Sequence, residues 1–207
     1  MIKKILIDNG HAKSTPGKCS PDKSFYEWEW NREIALMLQE RLTQEGIESV
    51  LLVPEYDKDI PLRERAARAN AYGKDTLFIS IHANAAGNGS WMQARGWSAF
   101  TSKGYTKSDE YCEIFVREAI KVLEPLGQKV RKYSSKKYGY EENFTVLVKT
   151  IMPAILTESM FYDNKEDLKF LKSEEGKKAI VDIHVNAIKR ILGKEDRFLT
   201  EEPCDCS

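Results

Sequence analysis

Two short apolar segments that each end in a polar turn and a histidine constrain the fold of this chain more than any other feature. Residues 2–7 run into Asp-Asn-Gly-His11, and residues 76–81 run into His82-Ala-Asn. Apolar runs of this length, rich in isoleucine, are typical of buried strands. Ligands of open α/β sheets bind outside the carboxyl ends of the strands. We therefore expect both histidines at one edge of a sheet, next to a ligand site.

Segments with helical periodicity alternate with these strands. Apolar residues recur every four positions between residues 27 and 45, and Pro61 opens a second predicted helix that ends near Tyr72. The order β-α-β-α-β is typical of a parallel sheet covered by helices. The sequence predicts one α/β domain over residues 1–192, with a mostly parallel twisted sheet and helices on both faces.

The rest of the chain adds further predicted elements to this domain. Strands are expected at 47–53, 96–101 (at the sheet edge), 144–148 and 153–158, and helices at 108–123, 166–172 and 175–192. Residues 125–141 lack a period and are interpreted as a loop over the site. Arg65 and His184 are interpreted as residues that hold the fold.

Composition excludes several classes of function. The chain has 207 residues, and its 32 basic and 32 acidic side chains give a formal net charge of zero. Proteins that bind nucleic acid or membrane surfaces usually carry a basic excess, so we expect neither partner. No apolar run approaches the ~20 residues of a membrane span. The N-terminus is interpreted as a strand and not a signal peptide, and the protein is expected to be a monomer.

The four cysteines do not indicate a disulfide framework in a domain of this size. Cys112 falls in a predicted helix and is interpreted as a small core residue. Cys204 and Cys206 lie in the polar segment 193–207, which we expect to be a disordered tail and not a soft-metal site.

Four polar residues are predicted to meet at the carboxyl edge of the sheet: His11, Glu27, His82 and Glu158. Two imidazoles and one carboxylate form a donor set that suits zinc, and three protein ligands leave a fourth position for water. Glu158 ends an apolar strand and would then act as a general base beside the metal.

Structural alternatives exist for three of these residues. His82 is also interpretable as a capping histidine, and Glu158 as a salt-bridged residue. Glu27 has the alternative role of a first-turn carboxylate that interacts with the helix dipole. Glu29 is a competing ligand on the same helix, although it would point elsewhere if Glu27 faces the site.

Four blocks of sequence resemble the zinc-dependent N-acetylmuramoyl-L-alanine amidases of the amidase-3 type, which are cell-wall hydrolases. They are Ile-Leu-Ile-Asp-Asn-Gly-His at 5–11, Glu-Trp-Glu-Trp-Asn at 27–31, Leu-Phe-Ile-Ser-Ile-His-Ala-Asn-Ala at 77–85 and Pro-Ala-Ile-Leu-Thr-Glu at 153–158. The resemblance implies a phosphorylase/hydrolase-like fold, Zn²⁺ on His11, Glu27 and His82, and catalysis by Glu158. It favours Glu27 over Glu29, because Glu27 stands four residues before Asn31.

The resemblance also implies a reaction. The expected activity is hydrolysis of the amide between the lactyl group of N-acetylmuramic acid and L-alanine in peptidoglycan. Two alternatives stay open: a zinc peptidase that cuts within the stem peptide, and a non-catalytic wall-binding module. Asn84, Arg131 and Lys132 are predicted to contact substrate. The expected place of action is the cell wall outside the cytoplasmic membrane, as for a phage lysin.

The chain departs from the family pattern at a few positions. Asn9 stands where proline is usual, and Met160 stands where the family usually has glycine after the catalytic glutamate. Neither change removes a predicted ligand. We expect such changes to alter loop shape and substrate fit.

Overall fold

The fold is built on a six-stranded sheet. The computed structural model describes residues 1–87, 89–135 and 137–194, and the predicted tail lies outside them except for Gly193 and Lys194. The strands are β1 (Lys4–Asn9), β2 (Ser49–Leu51), β3 (Thr76–Asn84), β4 (Ser98–Thr101), β5 (Tyr140–Glu141) and β6 (Ala154–Phe161), in the spatial order β2-β1-β3-β6-β4-β5. Among the strand pairs of this sheet in the described residues, β4–β6 alone is antiparallel. The predicted mostly parallel sheet is confirmed.

Helices cover both faces of the sheet, as predicted. They are α1 (Glu27–Gln44), α2 (Leu62–Asn70), α3 (Lys107–Leu123), α4 (Thr145–Val148), α5 (Lys165–Lys172) and α6 (Glu174–Ile191), with a 3-10 turn at Glu124–Leu126. Helices α1, α3, α5 and α6 bury the larger apolar cluster, and α2 and α4 bury a smaller one on the opposite face. None of the helices that the structure describes is long and apolar enough to traverse a bilayer.

Two predictions about local structure were wrong. The strand expected at 144–148 is the helix α4, in which the adjacent residues Val146 and Leu147 are both buried in the smaller cluster. Consecutive side chains of a strand point to opposite faces, so only a helical turn buries both on one side. Strand β4 is also not at the sheet edge, because the two-residue strand β5 pairs with its outer side.

The cysteines within the described residues are free thiols. Cys112 is buried in α3 as predicted, and burial raises the pKa of its thiol. Cys19 is partly exposed, and the Cys204 and Cys206 prediction lies outside the described residues.

His184 ties α6 to β6. Its Nδ1 lies 2.7 Å from the carbonyl of Ile180, and its Nε2 lies 3.0 Å from Oγ1 of Thr157. A carbonyl only accepts, so Nδ1 carries the proton and Nε2 accepts from the Thr157 hydroxyl. The side chain is fully buried, which supports its interpretation as a structural residue.

Met160 occupies a β-bulge in β6. The register pairs His82 with Glu158 but Asn84 with Phe161, so β6 holds one extra residue there. Met160 takes up this extra length in the left-handed backbone conformation, with φ 62°, and its side chain is fully buried. A non-glycine residue at such a φ is strained by about 1 kcal/mol or more.

Substitution of Met160 tests this geometry. Both Met160→Ala and Met160→Gly should destabilise the protein by roughly 2–4 kcal/mol, because each removes a buried side chain. We expect the glycine variant to be the more stable of the two, since glycine adopts positive φ without strain. Denaturant unfolding of both variants gives the order. Alanine is more stable than glycine in an ordinary strand. A Met160→Ala variant that is more stable than Met160→Gly would therefore contradict the left-handed bulge.

The buried His184 predicts a pH dependence of stability. Burial lowers its pKa from 6.5 to about 4, although the hydrogen bond to Ile180 opposes the shift. The unfolded chain therefore binds a proton at higher pH than the folded protein. The stabilisation from the neutral ring is complete above about pH 6.5 and is lost as the pH falls toward 4.

Unfolding free energies at pH 7 and pH 5 check this expectation. The wild-type protein should lose about 1–2 kcal/mol more on acidification than a His184→Gln variant, which has no titrating ring. Parallel losses in the two proteins would show that His184 is not a buried neutral histidine.

Candidate metal centre

His11, Glu27 and His82 converge at the carboxyl edge of the sheet. Oε1 of Glu27 lies 3.0 Å from Nδ1 of His82 and 3.4 Å from Nε2 of His11. One ligand atom from each residue lies within 4.8 Å of the other two. Two imidazole nitrogens and one carboxylate oxygen at this spacing fit a single divalent ion, and the donor set is one that zinc prefers.

The start of α1 places Glu27 in this group. The Glu27 backbone N–H donates to the carbonyl of Lys18 at 2.9 Å, which fixes the first residue of the helix. One turn later, Nδ2 of Asn31 lies 3.0 Å from the Gly10 carbonyl and 3.4 Å from Oε1 of Glu27. The spacing of four residues between Glu27 and Asn31 thus links the helix to the turn that carries His11. Glu29 is exposed on another side of the helix.

The turn after β1 requires glycine at position 10. A Cβ on Gly10 would lie 2.1 Å from Cε1 of His82, which is far inside van der Waals contact. His11 follows in a left-handed backbone conformation with φ 64°. Strained backbone of this kind is found where a functional site fixes it.

A buried arginine supports the same turn from below. The Arg65 guanidinium donates from Nη1 to Oδ1 of Asp8 at 2.8 Å and to the Asn9 carbonyl at 2.7 Å. Its Nη2 donates to Oδ1 of Asp59 at 2.9 Å and contacts the His11 carbonyl at 3.4 Å. Arg65 is 1% exposed, so these contacts neutralise a buried charge and hold the chain that presents His11.

Glu158 stands beside the three candidate ligands. It is the register partner of His82 across the β3–β6 pair. Its Oε2 is buried and has no hydrogen-bond partner among the described residues. An unpaired buried carboxylate oxygen is costly, and such groups are found at functional sites.

The two glutamates have opposite electrostatic environments. Burial opposes ionisation of Glu27, but hydrogen bonds and charge from His11 and His82 outweigh it and bring the pKa to about 2. Burial, followed by repulsion from Glu27, raises the pKa of Glu158 well above its ordinary value. Glu27 is therefore suited to stay ionised as a ligand, and Glu158 is suited to carry a proton.

Two cavities open on either side of these residues, and His11, His82 and Glu158 line both. The larger, of about 480 Å³, extends toward α4, and its walls include Leu62, Asn143, Phe144, Val146 and Leu156. The smaller, of about 210 Å³, extends toward the loops after β1 and β3, and its walls include Lys18, Glu27, Asn84, Gly87 and Tyr162.

The predicted substrate contacts lie in different places. Asn84 lines the smaller cavity, as a substrate-binding residue would. The Arg131 guanidinium instead lies 5.1 Å from the Phe161 ring centroid, and Lys132 lies 5.3 Å from that of Tyr138. Neither lines one of the two cavities, so the structure does not bring Arg131 and Lys132 to Glu158.

Several residues of these walls were not predicted as site residues, among them Lys18 and Phe144. Lys18 lies in the irregular loop between His11 and Glu27, where no periodicity indicates which side chains face the site. Phe144 was assigned to a strand, but it is the N-cap residue of the helix α4. Their proximity to predicted site residues along the chain was the one available signal.

Comparisons with known proteins point to one family. A family model described as N-acetylmuramoyl-L-alanine amidase matches residues 5–190. The N-acetylmuramoyl-L-alanine amidase CwlM of Bacillus licheniformis is 33% identical over 191 residues, which cover 90% of this chain and 68% of that protein. The endolysin of Bacillus phage SPP1 is 28% identical, and the match covers 93% of this chain and 67% of the endolysin.

Solved structures share the fold. The crystal structure of an N-acetylmuramoyl-L-alanine amidase from Clostridium difficile 630 matches with a TM-score of 0.79 and 26% identity, covering 94% of this chain and 99% of that one. The family match includes strands β2 to β6, all of β1 except Lys4, and the four residues of the candidate site. The resemblance found in the sequence is confirmed, and the chain belongs to the N-acetylmuramoyl-L-alanine amidase family.

Proposed function

We propose that this protein hydrolyses the amide bond between the lactyl group of N-acetylmuramic acid and the L-alanine of the stem peptide. The observation that carries the proposal is the convergence of His11, Glu27 and His82 beside the unpaired carboxylate of Glu158. Family membership supplies the substrate class. A purely structural zinc site would be closed by four protein ligands, whereas this one has three.

His11, Glu27 and His82 would hold zinc as the cofactor. Zinc bound there would supply a Lewis acid that polarises the scissile carbonyl and acidifies the attacking water. The protein's part is to bury the Glu27 carboxylate beside the two histidines and to hold His82 against Gly10. The side chains of His11 and His82 are partly exposed, so substrate can reach a metal ion held by these residues.

Glu158 would move the proton. The buried Oε2 takes a proton from the attacking water as the new carbon–oxygen bond forms. The same carboxyl then gives that proton to the departing nitrogen as the carbon–nitrogen bond breaks. The products are a lactyl carboxylic acid on the glycan and a stem peptide with a free L-alanine amine. Burial raises the pKa of Glu158, which favours the protonated form that the carboxyl takes between the two steps.

The place of action follows from the substrate. Peptidoglycan lies outside the cytoplasmic membrane, and one relative of this chain is a phage endolysin. We propose that the protein acts on the wall as a monomer, because the triad and both cavities are formed within one chain.

Glu27 and Glu29 provide a matched pair for testing the metal site. Glu27→Gln removes the charge that both histidines contact, so zinc affinity should fall by roughly 10²-fold or more. Glu29→Gln makes the same chemical change on an exposed side of α1 and should bind zinc as the wild-type protein does. Calorimetric titration of the metal-free proteins with Zn²⁺ measures both. Equal affinities in the two variants would remove Glu27 from the ligand set.

Glu158→Gln tests the proton transfer. The variant should retain one zinc per chain and lose roughly 10²–10⁴-fold in turnover of purified peptidoglycan, since the amide side chain takes no proton from water. Glu29→Gln again serves as the control with wild-type turnover. Mass spectrometry should identify intact stem peptides that begin with L-alanine. Fragments that begin inside the stem would instead assign the protein as a peptidase.

A further inference from the structure

The two cavities beside Glu158 differ in chemistry. Leu62, Phe144, Val146 and Leu156 give the larger cavity an apolar wall, and the Phe144 ring is 37% exposed. Polar groups surround the smaller cavity, including the ammonium-bearing Lys18 and the side-chain amide of Asn84. A substrate that spans both cavities thus meets a mainly apolar surface in the larger one. In the smaller one it meets polar groups, with one lysine beside the carboxylates of Glu27 and Glu158.

Lys18 supplies the available positive charge. The other permanently charged cation in these walls is Arg65, whose guanidinium is already bonded to Asp8 and Asp59. Lys18 forms no ion pair with any residue in the described part of the chain, and it is partly exposed. An ammonium group without a direct ion pair, on a residue that lines the cavity beside Glu27 and Glu158, is suited to bind an anionic part of the substrate.

The backbone holds Lys18 in place. Its carbonyl accepts the hydrogen bond from the N–H of Glu27 at 2.9 Å, and the next residue, Cys19, forms an antiparallel bridge with Tyr26. The segment that carries Lys18 is therefore fixed to the residue that begins α1. The ammonium group of Lys18 can therefore lie no farther from Glu27 than the extended lysine side chain allows.

The substrate is equally asymmetric about the bond to be cut. The acyl side is a lactyl ether on a sugar ring, and sugar faces pack on aromatic rings. The amine side is L-alanine followed by an acidic residue whose α-carboxyl is free in some cell walls and amidated in others. That carboxyl lies one residue beyond the scissile amide.

We propose that Lys18 is a specificity-determining residue that binds the free α-carboxylate of the second stem residue. The peptide then occupies the smaller cavity, and the glycan lies over Phe144 in the larger one. This proposal rests on the proposed function, because it assigns the two sides of the same scissile amide bond to the two cavities. It predicts that amidation of the α-carboxyl lowers kcat/KM for the substrate.

Lys18 also has an electrostatic effect on Glu158, and the test must distinguish this effect from substrate binding. Its charge opposes the rise in the pKa of Glu158, so a loss of Lys18 acts on catalysis through that carboxyl as well. An effect of that kind reduces turnover of every substrate by the same factor. A contact with the α-carboxylate changes only the substrate that has one.

The experiment compares two disaccharide tetrapeptides that differ only in the α-carboxyl or α-amide of the second residue. The zinc-loaded wild-type protein should prefer the carboxylate by roughly tenfold in kcat/KM. Lys18→Met should lose that preference by slowing the carboxylate substrate more than the amide substrate, and Lys18→Arg should retain most of it. Lys13→Met, an exposed lysine of the same loop that lines neither cavity, should behave as the wild-type protein.

Every outcome of this comparison decides the proposal. Zinc content and melting temperature are measured for each variant, and Lys18→Arg keeps the test valid if Lys18→Met does not fold. Equal cleavage of the two substrates by the wild-type protein, or an equal loss on both in Lys18→Met, overturns the role of Lys18 and leaves the amidase intact. Failure of the wild-type protein to cleave either substrate overturns the proposed function together with this inference.

Discussion

The buried carboxylate of Glu27, shared by two histidines, is the interaction on which the site depends. Removal of a carboxylate from water costs several kcal/mol unless its partners are in place. The partners here come from the ends of β1 and β3, which are adjacent strands in register. The pairing of Asn9 with Ile81 sets His11 and His82 side by side, and α1 brings Glu27 over the strand ends. The site therefore forms only when the sheet and the first helix are packed together.

A buried ion pair supports this group of residues. Asp8 accepts from Arg65 on one oxygen and from the Ser80 hydroxyl, at 2.6 Å, on the other. This network joins β1, β3 and α2 directly beneath the turn that carries His11. Both charged groups are 1% exposed, so loss of either partner would leave an uncompensated charge in the core. The polar layer thus specifies the position of the turn, while the apolar clusters on both faces supply most of the stability.

Much of this arrangement was predictable because it depends on local patterns. An apolar run that ends in His11 or His82 indicates a strand and the edge at which it stops, and sheet topology then brings the two ends together. The sequence could not give the path of irregular segments, so the contribution of Lys18 was missed. The helix α4 was assigned as a strand because four apolar residues do not distinguish the two periods. Its true conformation brings Phe144 to the wall of the larger cavity.

The bulge in β6 explains how one strand can place Glu158 at the site and also place Met160 in the apolar core. Ala154 and Leu156 pack in the cluster beneath α2 and α4, and Glu158 continues on that side toward the larger cavity. In a regular strand residue 160 would share this face, since side chains alternate. The extra residue turns Met160 into the opposite apolar cluster instead. The left-handed backbone is therefore tolerated with a large side chain, because burial of Met160 offsets a strain of about 1 kcal/mol. The same change of side leaves Glu158 as the last β6 residue to line the larger cavity.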